Sequence, residues 1–191
     1  MTRIFCIRHA QSVWNAEGRW QGQADPPLSD RGRDDARAAA RVLEGMVERV
    51  VASDLLRALE TAEIVASALA LGEVDISPDL REIDIGEWSG LTRDEIEERW
   101  PGGIAGWRSG EFSPPGAEDR DAFVARVVRG LERVARSDGR PALVVTHGGA
   151  IGRLEHHLGV NPGVAVPRLC GRWFDVGSGV VPIGDRVDLL A

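Results

Sequence analysis

Short apolar runs that end in polar residues recur along the chain and predict buried β-strands. Ile4 to Ile7, Val50 to Ala52 and Ala142 to Thr146 are too short for helices and rich in residues that favour strands. The last of these reads A-L-V-V-T and predicts a strand buried on both faces. A further short strand is expected at Glu73 to Ile76. One or two edge strands are expected in the tail, around Trp173 to Val176 and residues 186–190.

Between these runs, apolar residues recur at helical spacing. Stripes of alanine and leucine predict amphipathic helices after the N-cap candidate Ser29 and from Leu55 to Leu69. A valine-rich stripe predicts a long helix from Glu118 to Arg136. Thr92 starts a capping-box sequence that predicts a short helix through Trp100. A further helix should follow the strand at 142–146 and run to about residue 158.

The alternation of strands and helices predicts the fold class. Such a sequence favours a mainly parallel sheet covered by helices on both faces, which is a three-layer α/β/α sandwich. At 191 residues the chain fits a single domain, residues 1–191. Gly, Pro and Trp are frequent in residues 88–117, so we expect a small irregular lid region there. The short Thr92 helix falls within this region, and we expect residues 104–116 after it to be irregular.

Composition narrows the class of function. The formal charge of -7 and pI of about 5.2 argue against a nucleic-acid partner that binds a general basic surface. All 23 basic residues are arginine, which excludes Schiff-base chemistry on lysine and a Walker-type lysine. The two cysteines, Cys6 and Cys170, do not form a disulfide framework. With no apolar run of membrane-spanning length and no export signal, we expect a cytoplasmic protein without a membrane partner.

Polar side chains follow three of the predicted strands at the point where each ends. Arg8 and His9 follow the first strand, Arg57 stands near the start of the helix after the second, and His147 follows the strand at 142–146. Because parallel strands share one carboxyl edge, these four residues could converge there. Two guanidinium groups, two imidazoles and a helix N-terminus suit a tetrahedral dianion, so a phosphoryl group is the expected guest.

A histidine beside an arginine also suggests chemistry. A neutral His9 ring could attack phosphorus while the cations offset charge on the equatorial oxygens, which would give a phosphohistidine intermediate. The leaving alkoxide then needs a proton, and Glu82, in a loop between glycine-marked turns, is the candidate donor.

Plainer interpretations stay open at this point. Arg57 could form a salt bridge on a helix face, and Glu82 could be a solvated loop charge. A metal site built on His9 and His147 lacks a third ligand at a recognisable spacing, so no metal is expected. Four arginines near the lid could contact a second acidic group or could simply be solvated helix charges. They are Arg93, Arg99, Arg108 and Arg120.

Several sequence blocks resemble a known family. R-H-A-Q-S-V-W-N, at residues 8–15, is similar to the R-H-G-[EQ]-[ST]-x-x-N signature of the histidine phosphatase superfamily, in the branch that contains cofactor-dependent phosphoglycerate mutases. Further matching blocks are Gln21-Gly22, Pro27-Leu28-Ser29 with Gly32, Ser53-Asp54-Leu55 with Arg57-Ala58 and Thr61-Ala62, Leu80-Arg81-Glu82 with Gly86 and Gly90, and His147-Gly148-Gly149. Their order and number make the resemblance specific.

The resemblance implies roles for individual residues. His9 would be the phosphorylated nucleophile, with Glu82 as the acid and then the base. Arg8, Arg57 and His147 would clamp the phosphate. Substrate contacts would come from Asn15, Gln21, Gly22 and Gly148, and no cofactor or metal would be needed. Ala10 departs from the family pattern, which has glycine there, and would be strained if that position required positive φ.

Three functions fit the resemblance. The stretch from Ile83 to Thr146 is shorter than the corresponding stretch of the family's mutases, and Pro114 to Glu118 resembles a segment of its smaller phosphatases. We therefore expect a phosphomonoester hydrolase that acts on a small phosphorylated metabolite, as a monomer or homodimer. Mutase-type phosphotransfer is the first alternative, and a catalytically weak phospholigand-binding domain is the second.

Overall fold

The computed structural model describes residues 1–160 and 164–191, and the described part contains a six-stranded sheet. The strands are β1 (Thr2–Arg8), β2 (Arg49–Ala52), β3 (Asp75–Ile76), β4 (Ala142–Thr146), β5 (Cys170–Val176) and β6 (Val180–Asp188). Their order is β3-β2-β4-β1-β5-β6. The first four strands in this order are parallel to one another. Strand β5 is antiparallel to β1, and β6 is antiparallel to β5. The carboxyl ends of β1, β2 and β4 therefore share one edge.

Helices cover both faces of this sheet. They are α1 (Val13–Ala16), α2 (Asp30–Val42), α3 (Leu56–Leu69), α4 (Arg93–Arg99), α5 (Gly103–Ser109), α6 (Arg120–Ser137) and α7 (Gly148–His157). Helices α2 and α3 pack with one set of strand residues, and α6 and α7 pack with the other set. The three-layer α/β/α fold with a mostly parallel sheet is confirmed.

Strand β1 shows why the layers form. Its side chains alternate, so that Phe5 and Ile7 join the core beneath α2 and α3, while Ile4 and Cys6 join the core beneath α6 and α7. All four are essentially without exposed surface. Because both faces are covered, the strand buries apolar residues from Ile4 to Ile7, and its charged side chains, Arg3 and Arg8, stand towards its two ends.

The lid region is more regular than the sequence indicated. Residues 104–116 were expected to be irregular, but helix α5 occupies Gly103–Ser109, while the Thr92 capping box and the helix after it are confirmed. Trp88 is fully buried at the centre of an aromatic cluster. Its ring centroid lies 5.4 Å from Trp20, 6.1 Å from Trp107 and 5.8 Å from Phe112. This packing against aromatic rings orders a segment whose glycines disfavour a helix.

The tail also differs from expectation. The strand around Trp173 is not an edge strand, because β5 pairs with β1 on one side and with β6 on the other. Strand β6 carries Pro182 and Gly184, which weaken its strand pattern in the sequence. Both sides of the Trp173 strand are therefore already paired within the chain. Among the described residues, none of the helices combines the length and apolar character that a membrane crossing requires.

Candidate active site

The ends of β1 and β4 bring two histidines together. Arg8 pairs with Thr146 in the parallel ladder, and the His9 backbone N–H donates to the Thr146 carbonyl at 2.9 Å. The next residue on each strand is a histidine, and the centroids of the His9 and His147 rings are 5.2 Å apart at an angle of 60°. Both side chains are buried. The structure thus brings these two predicted site residues together at the sheet edge.

A backbone contact orients the His9 ring. Its Nδ1 lies 2.6 Å from the Ala10 carbonyl oxygen, which can only accept a hydrogen bond. Nδ1 therefore carries the proton, and a neutral ring presents an unprotonated Nε2. Burial, followed by the nearby Arg57 and Arg8 charges, holds the pKa of His9 well below its usual range. The ring is consequently neutral at physiological pH.

Ala10 is not strained. Its φ does not lie in the left-handed region, and its methyl group is fully buried. Its backbone N–H donates to Thr61 Oγ1 at 3.1 Å, and the Thr61 hydroxyl donates to the Arg57 carbonyl at 2.7 Å. The departure from the family's glycine therefore imposes no backbone strain on this site, and Thr61 links the His9 turn to helix α3.

Arg57 lies in the first turn of α3 and is 1% exposed. Its guanidinium donates to the carbonyls of Ala24 at 2.7 Å and Gly22 at 2.8 Å, while its Nε has no partner among the described residues. Gly22 has a φ of 50°, and a Cβ there would meet Ile85, so glycine is required. Burial lowers the pKa of Arg57 to about 10, which leaves it charged.

Arg8 is the second cation of the site. One of its terminal nitrogens donates to the Val166 carbonyl at 2.8 Å, and its Nε also lacks a partner in the part of the chain that the structure describes. Gly148 lies against the side chain of Arg8. Neither Arg8 nor Arg57 has a described carboxylate within ion-pair distance. Arg57 is buried and Arg8 is half-buried. Two such cations, whose counter-charge is not supplied by described side chains, can offset the charge of a bound dianion.

His147 is the N-cap residue of α7 and has no exposed surface. Neither of its ring nitrogens has a hydrogen-bond partner within residues 1–160 and 164–191. Burial, then the Arg57 and His9 charges, lowers its pKa well below the usual range. A neutral imidazole at the start of a helix can donate one hydrogen bond to an anion.

Glu82 is held by two backbone donors. Its Oε1 accepts from its neighbour Ile83 at 2.9 Å, and its Oε2 accepts from the Gly149 N–H, in the first turn of α7, at 2.8 Å. A Cβ at position 149 would overlap Oε1, so only glycine allows the carboxylate to approach. Arg81, beside it, pairs instead with Asp54. Glu82 therefore reaches the start of the helix that His147 caps.

Arg126 holds the loop that carries Glu82 in place, and no pattern in the sequence indicated this role. From helix α6 it donates to the carbonyls of Asp79, Arg81 and Glu82 at 2.8 to 3.0 Å, and it forms an ion pair with Glu118. These carbonyls lie 44 to 47 residues away along the chain. No local motif can reveal such a contact, because in the sequence Arg126 is indistinguishable from the other arginines of this helix.

Asn15 and Gln21 are positioned by Ser12. Asn15 and Ser12 form the capping box of α1, and the Ser12 hydroxyl donates to Gln21 Oε1 at 2.8 Å. Each amide therefore keeps its NH₂ group available for other acceptors. Both side chains line a cleft of about 400 Å³. The cleft is lined also by Arg8, Gly22, Arg57, Glu82 and Gly149, with Arg19, Trp20, Ile83, Ile85 and Trp107 among its other residues.

Six of the nine predicted site residues line this cleft. His9, His147 and Gly148 are not among the described residues that line it, but His9 directly follows Arg8 along the chain, and His147 and Gly148 directly precede Gly149. The polar part of the cleft presents arginine side chains, a carboxylate and amide donors, and its apolar part presents indole and isoleucine side chains. This combination suits an organic molecule that carries a phosphoryl group. Within residues 1–160 and 164–191, no three His, Cys, Asp or Glu side chains are grouped to hold a metal ion.

Known proteins similar to this chain include phosphatases. A family model described as "Histidine phosphatase superfamily (branch 1)" matches residues 4–167. A glucosyl-3-phosphoglycerate phosphatase from Mycolicibacterium vanbaalenii is 38% identical over 167 residues, which cover 80% of this chain and 72% of that protein. A metal-independent phosphoserine phosphatase from Arabidopsis thaliana is 37% identical over 158 residues, or 79% of this chain and 66% of that protein.

Solved structures extend the match to nearly the whole chain. A mycobacterial glucosyl-3-phosphoglycerate phosphatase in complex with VO3 superposes with a TM-score of 0.86 at 31% identity. The alignment covers 98% of this chain and 99% of the other. These matches confirm the resemblance indicated by residues 8–15.

Proposed function

We propose, because this chain belongs to the histidine phosphatase superfamily, that it hydrolyses small phosphate monoesters through a phosphohistidine intermediate at His9. The observation that carries the proposal is the His9 ring itself. The Ala10 carbonyl fixes its proton on Nδ1, and burial with two nearby arginines keeps the ring neutral. Nε2 is then an available nucleophile beside groups that attract a phosphoryl anion.

In the first step, His9 Nε2 attacks phosphorus, and the bond between phosphorus and the ester oxygen breaks. Arg8 and Arg57 offset charge on the equatorial oxygens, and His147 donates a hydrogen bond to one of them. Glu82 supplies the proton that the leaving alkoxide requires. Its two backbone donors hold the carboxyl group at the start of α7, next to the turn that carries His147.

In the second step, water attacks the phosphohistidine. Glu82, now ionised, accepts a proton from that water, the bond between Nε2 and phosphorus breaks, and orthophosphate forms. Asn15, Gln21, Gly22 and Gly148 contribute contacts to the substrate. The charge of the site is supplied by this chain's own arginines, so the reaction requires no metal or cofactor.

Hydrolysis is favoured over mutase chemistry by the relatives named as phosphatases and by the short stretch from Ile83 to Thr146. A mutase must keep water from its phosphoenzyme and hold a reorienting product. The relatives' names also suggest phosphorylated sugar acids or phosphorylated amino acids as the substrate class for this chain.

The test uses p-nitrophenyl phosphate with wild-type protein, His9→Gln, and His156→Gln as a matched control. His156 is exposed in the last turn of α7, outside the site. Wild type and the control should release phosphate at similar rates. His9→Gln should be slower by about 10³-fold or more, because it removes the nucleophile.

Alkaline quenching, which preserves a bond between nitrogen and phosphorus, should trap phosphohistidine in wild type and not in His9→Gln. Phosphate release that survives His9→Gln would refute the nucleophile. Isomerisation of phosphoglycerate without phosphate release would identify a mutase, and phosphate-competitive binding without either reaction would identify a binding domain.

A further inference from the structure

Trp107 forms part of the cleft wall, and two arginines approach its ring. The guanidinium carbon of Arg120 lies 4.2 Å from the ring centroid, and that of Arg153 lies 5.7 Å from it. The indole is 7% exposed, so it keeps only a small surface toward the cleft. Both arginines are thus held beside the wall of the substrate cleft by cation–π contacts.

The two cations have no acidic partner. Within the described ranges, no carboxylate lies within ion-pair distance of Arg120 or Arg153, whereas Arg126, on α6 like Arg120, pairs with Glu118. The two charges lie near enough that Arg153 lowers the pKa of Arg120, after burial. Like charges beside a partly desolvated indole repel each other unless an anion lies between or near them.

Arg153 differs from Arg120 in the hydrogen bonds that its guanidinium forms. Arg120 donates to the carbonyls of Trp107 and Phe112, so its hydrogen bonds fasten the lid. Arg153 has no such bond to the described residues and keeps its donors available. It is half-buried, and burial lowers its pKa while Glu82 raises it, which places it within electrostatic reach of Glu82.

The helix directs Arg153 toward the site. It lies four residues after Gly149 on α7, and therefore on the same face, one turn further from the helix start. Side chains on a helix lean toward its N-terminus, so Arg153 leans toward Gly149 and the Glu82 carboxyl bound to it. Arg153 is not among the described residues that line the cleft, and it approaches the cleft beside Trp107 and Glu82, which both line it.

We infer that Arg153 is a specificity-determining residue that binds a carboxylate on the substrate, at the far side of Glu82 from the phosphoryl group. The inference rests on the proposed function and narrows its substrates to phosphate esters that carry a second acidic group. A guanidinium fork matches a carboxylate bidentately, and the Trp107 ring holds the fork in place. Arg120, over the same ring, adds positive potential.

The test compares two phosphate esters, 3-phosphoglycerate and glycerol 3-phosphate. They differ only in that the first carries a carboxylate where the second carries a hydroxymethyl group. The readout is the ratio of their kcat/KM values, so any general effect of a substitution on the site cancels. Wild type should prefer 3-phosphoglycerate by roughly tenfold or more, and Arg153→Met should lose roughly tenfold of that ratio, as expected for a charge-assisted hydrogen bond. Arg129→Met, which removes an exposed arginine from α6, should keep the wild-type ratio.

Two outcomes would overturn the inference that Arg153 binds a substrate carboxylate. It is overturned if wild type shows no preference for the carboxylate, or if the preference survives both Arg153→Met and a second variant, Arg153→Gln. Failure of the proposed function is a separate result, because wild type would then release no phosphate from p-nitrophenyl phosphate. If both variants are unfolded, the wild-type ratio alone still decides whether the cleft selects a carboxylate.

Discussion

Two pairs of buried or half-buried arginines in this chain have opposite surroundings. Arg172 and Arg186, on β5 and β6, both donate to the fully buried Glu155 of α7, with the Arg172 Nε at 2.8 Å. Arg8 and Arg57, at the candidate active site, donate only to backbone carbonyls and have no described carboxylate within ion-pair distance. The same residue type is thus buried with its counter-charge in one place and without it in the other.

The difference separates a structural use of arginine from a functional one. Around Glu155 the protein supplies both charges, so the ion pairs join α7 to the β5–β6 hairpin whether or not anything is bound. At the cleft, we propose that a substrate dianion supplies the missing charge. The free energy of unfolding should therefore depend on the first pair, and transition-state stabilisation on the second.

The largest effect is expected from Arg57→Met. Because this substitution removes a guanidinium that we propose binds the phosphoryl group, kcat/KM for p-nitrophenyl phosphate should fall by about 10³-fold. Arg57→Lys should recover only part of the loss, because it restores the charge and not the fork. The same change at the other pair, Arg172→Met, should leave kcat of the folded enzyme near the wild-type value. Equal losses of kcat at both positions would contradict the distinction.

The second-largest effect is expected on the free energy of unfolding. Glu155→Gln leaves two buried guanidinium groups without a counter-charge, so the free energy of unfolding, measured by urea denaturation, should fall by about 3 kcal/mol. Glu63→Gln, an exposed position on α3, should change it by less than about 0.5 kcal/mol. The kcat of folded Glu155→Gln should be preserved. Loss of kcat without loss of stability would show that Glu155 serves the cleft directly.

The smallest expected effect of a substitution is on the pH dependence of stability. Burial, followed by the nearby arginine charges, lowers the pKa of His9 and of His147 in the folded state, so the unfolded chain binds protons near pH 6.5 that the folded chain does not. The free energy of unfolding of the wild type should therefore fall as pH falls from 7 to 5, by about 2 kcal/mol for each histidine that the fold keeps neutral. The lowered pKa values of Asp54 and Asp138 act below this window.

Urea titrations at several pH values measure this slope. Arg57→Met should flatten it, because one charge that disfavours protonation of both histidines is gone, and Glu155→Gln should not. A wild-type stability that is constant or rises from pH 7 to pH 5 would show that the histidines are not held neutral by the fold.

The convergence of the predicted site residues could be read from the sequence because these residues sit where strands end. The strand at 142–146 and the helix to Leu69 appear within a residue of their expected bounds, and the polar residues after each strand meet at one edge. Apolar periodicity decides both the element and the point where it stops. The roles of individual side chains, in contrast, remain predictions that the experiments above test.

Long-range partners were beyond the reach of sequence patterns. Glu155 meets arginines 17 and 31 residues later, which requires the β5–β6 hairpin to be in place. Arg153 has the sequence signature of any exposed helix charge, and only its contact with Trp107 distinguishes it. Helix α5 was missed because Gly103, Gly106 and Gly110 disfavour a helix that aromatic packing nonetheless stabilises.

The aromatic cluster around Trp88 gives this protein a built-in optical signal. The chain contains no tyrosine, so its near-ultraviolet emission comes from tryptophan alone. Trp20, Trp88 and Trp107 are close enough to exchange excitation energy, and two of them line the cleft. Trp173 lies apart, stacked on Phe5 beneath the opposite helices. Quenching of the unlabelled protein therefore reports what enters the cleft, with Trp173 as a steady internal background.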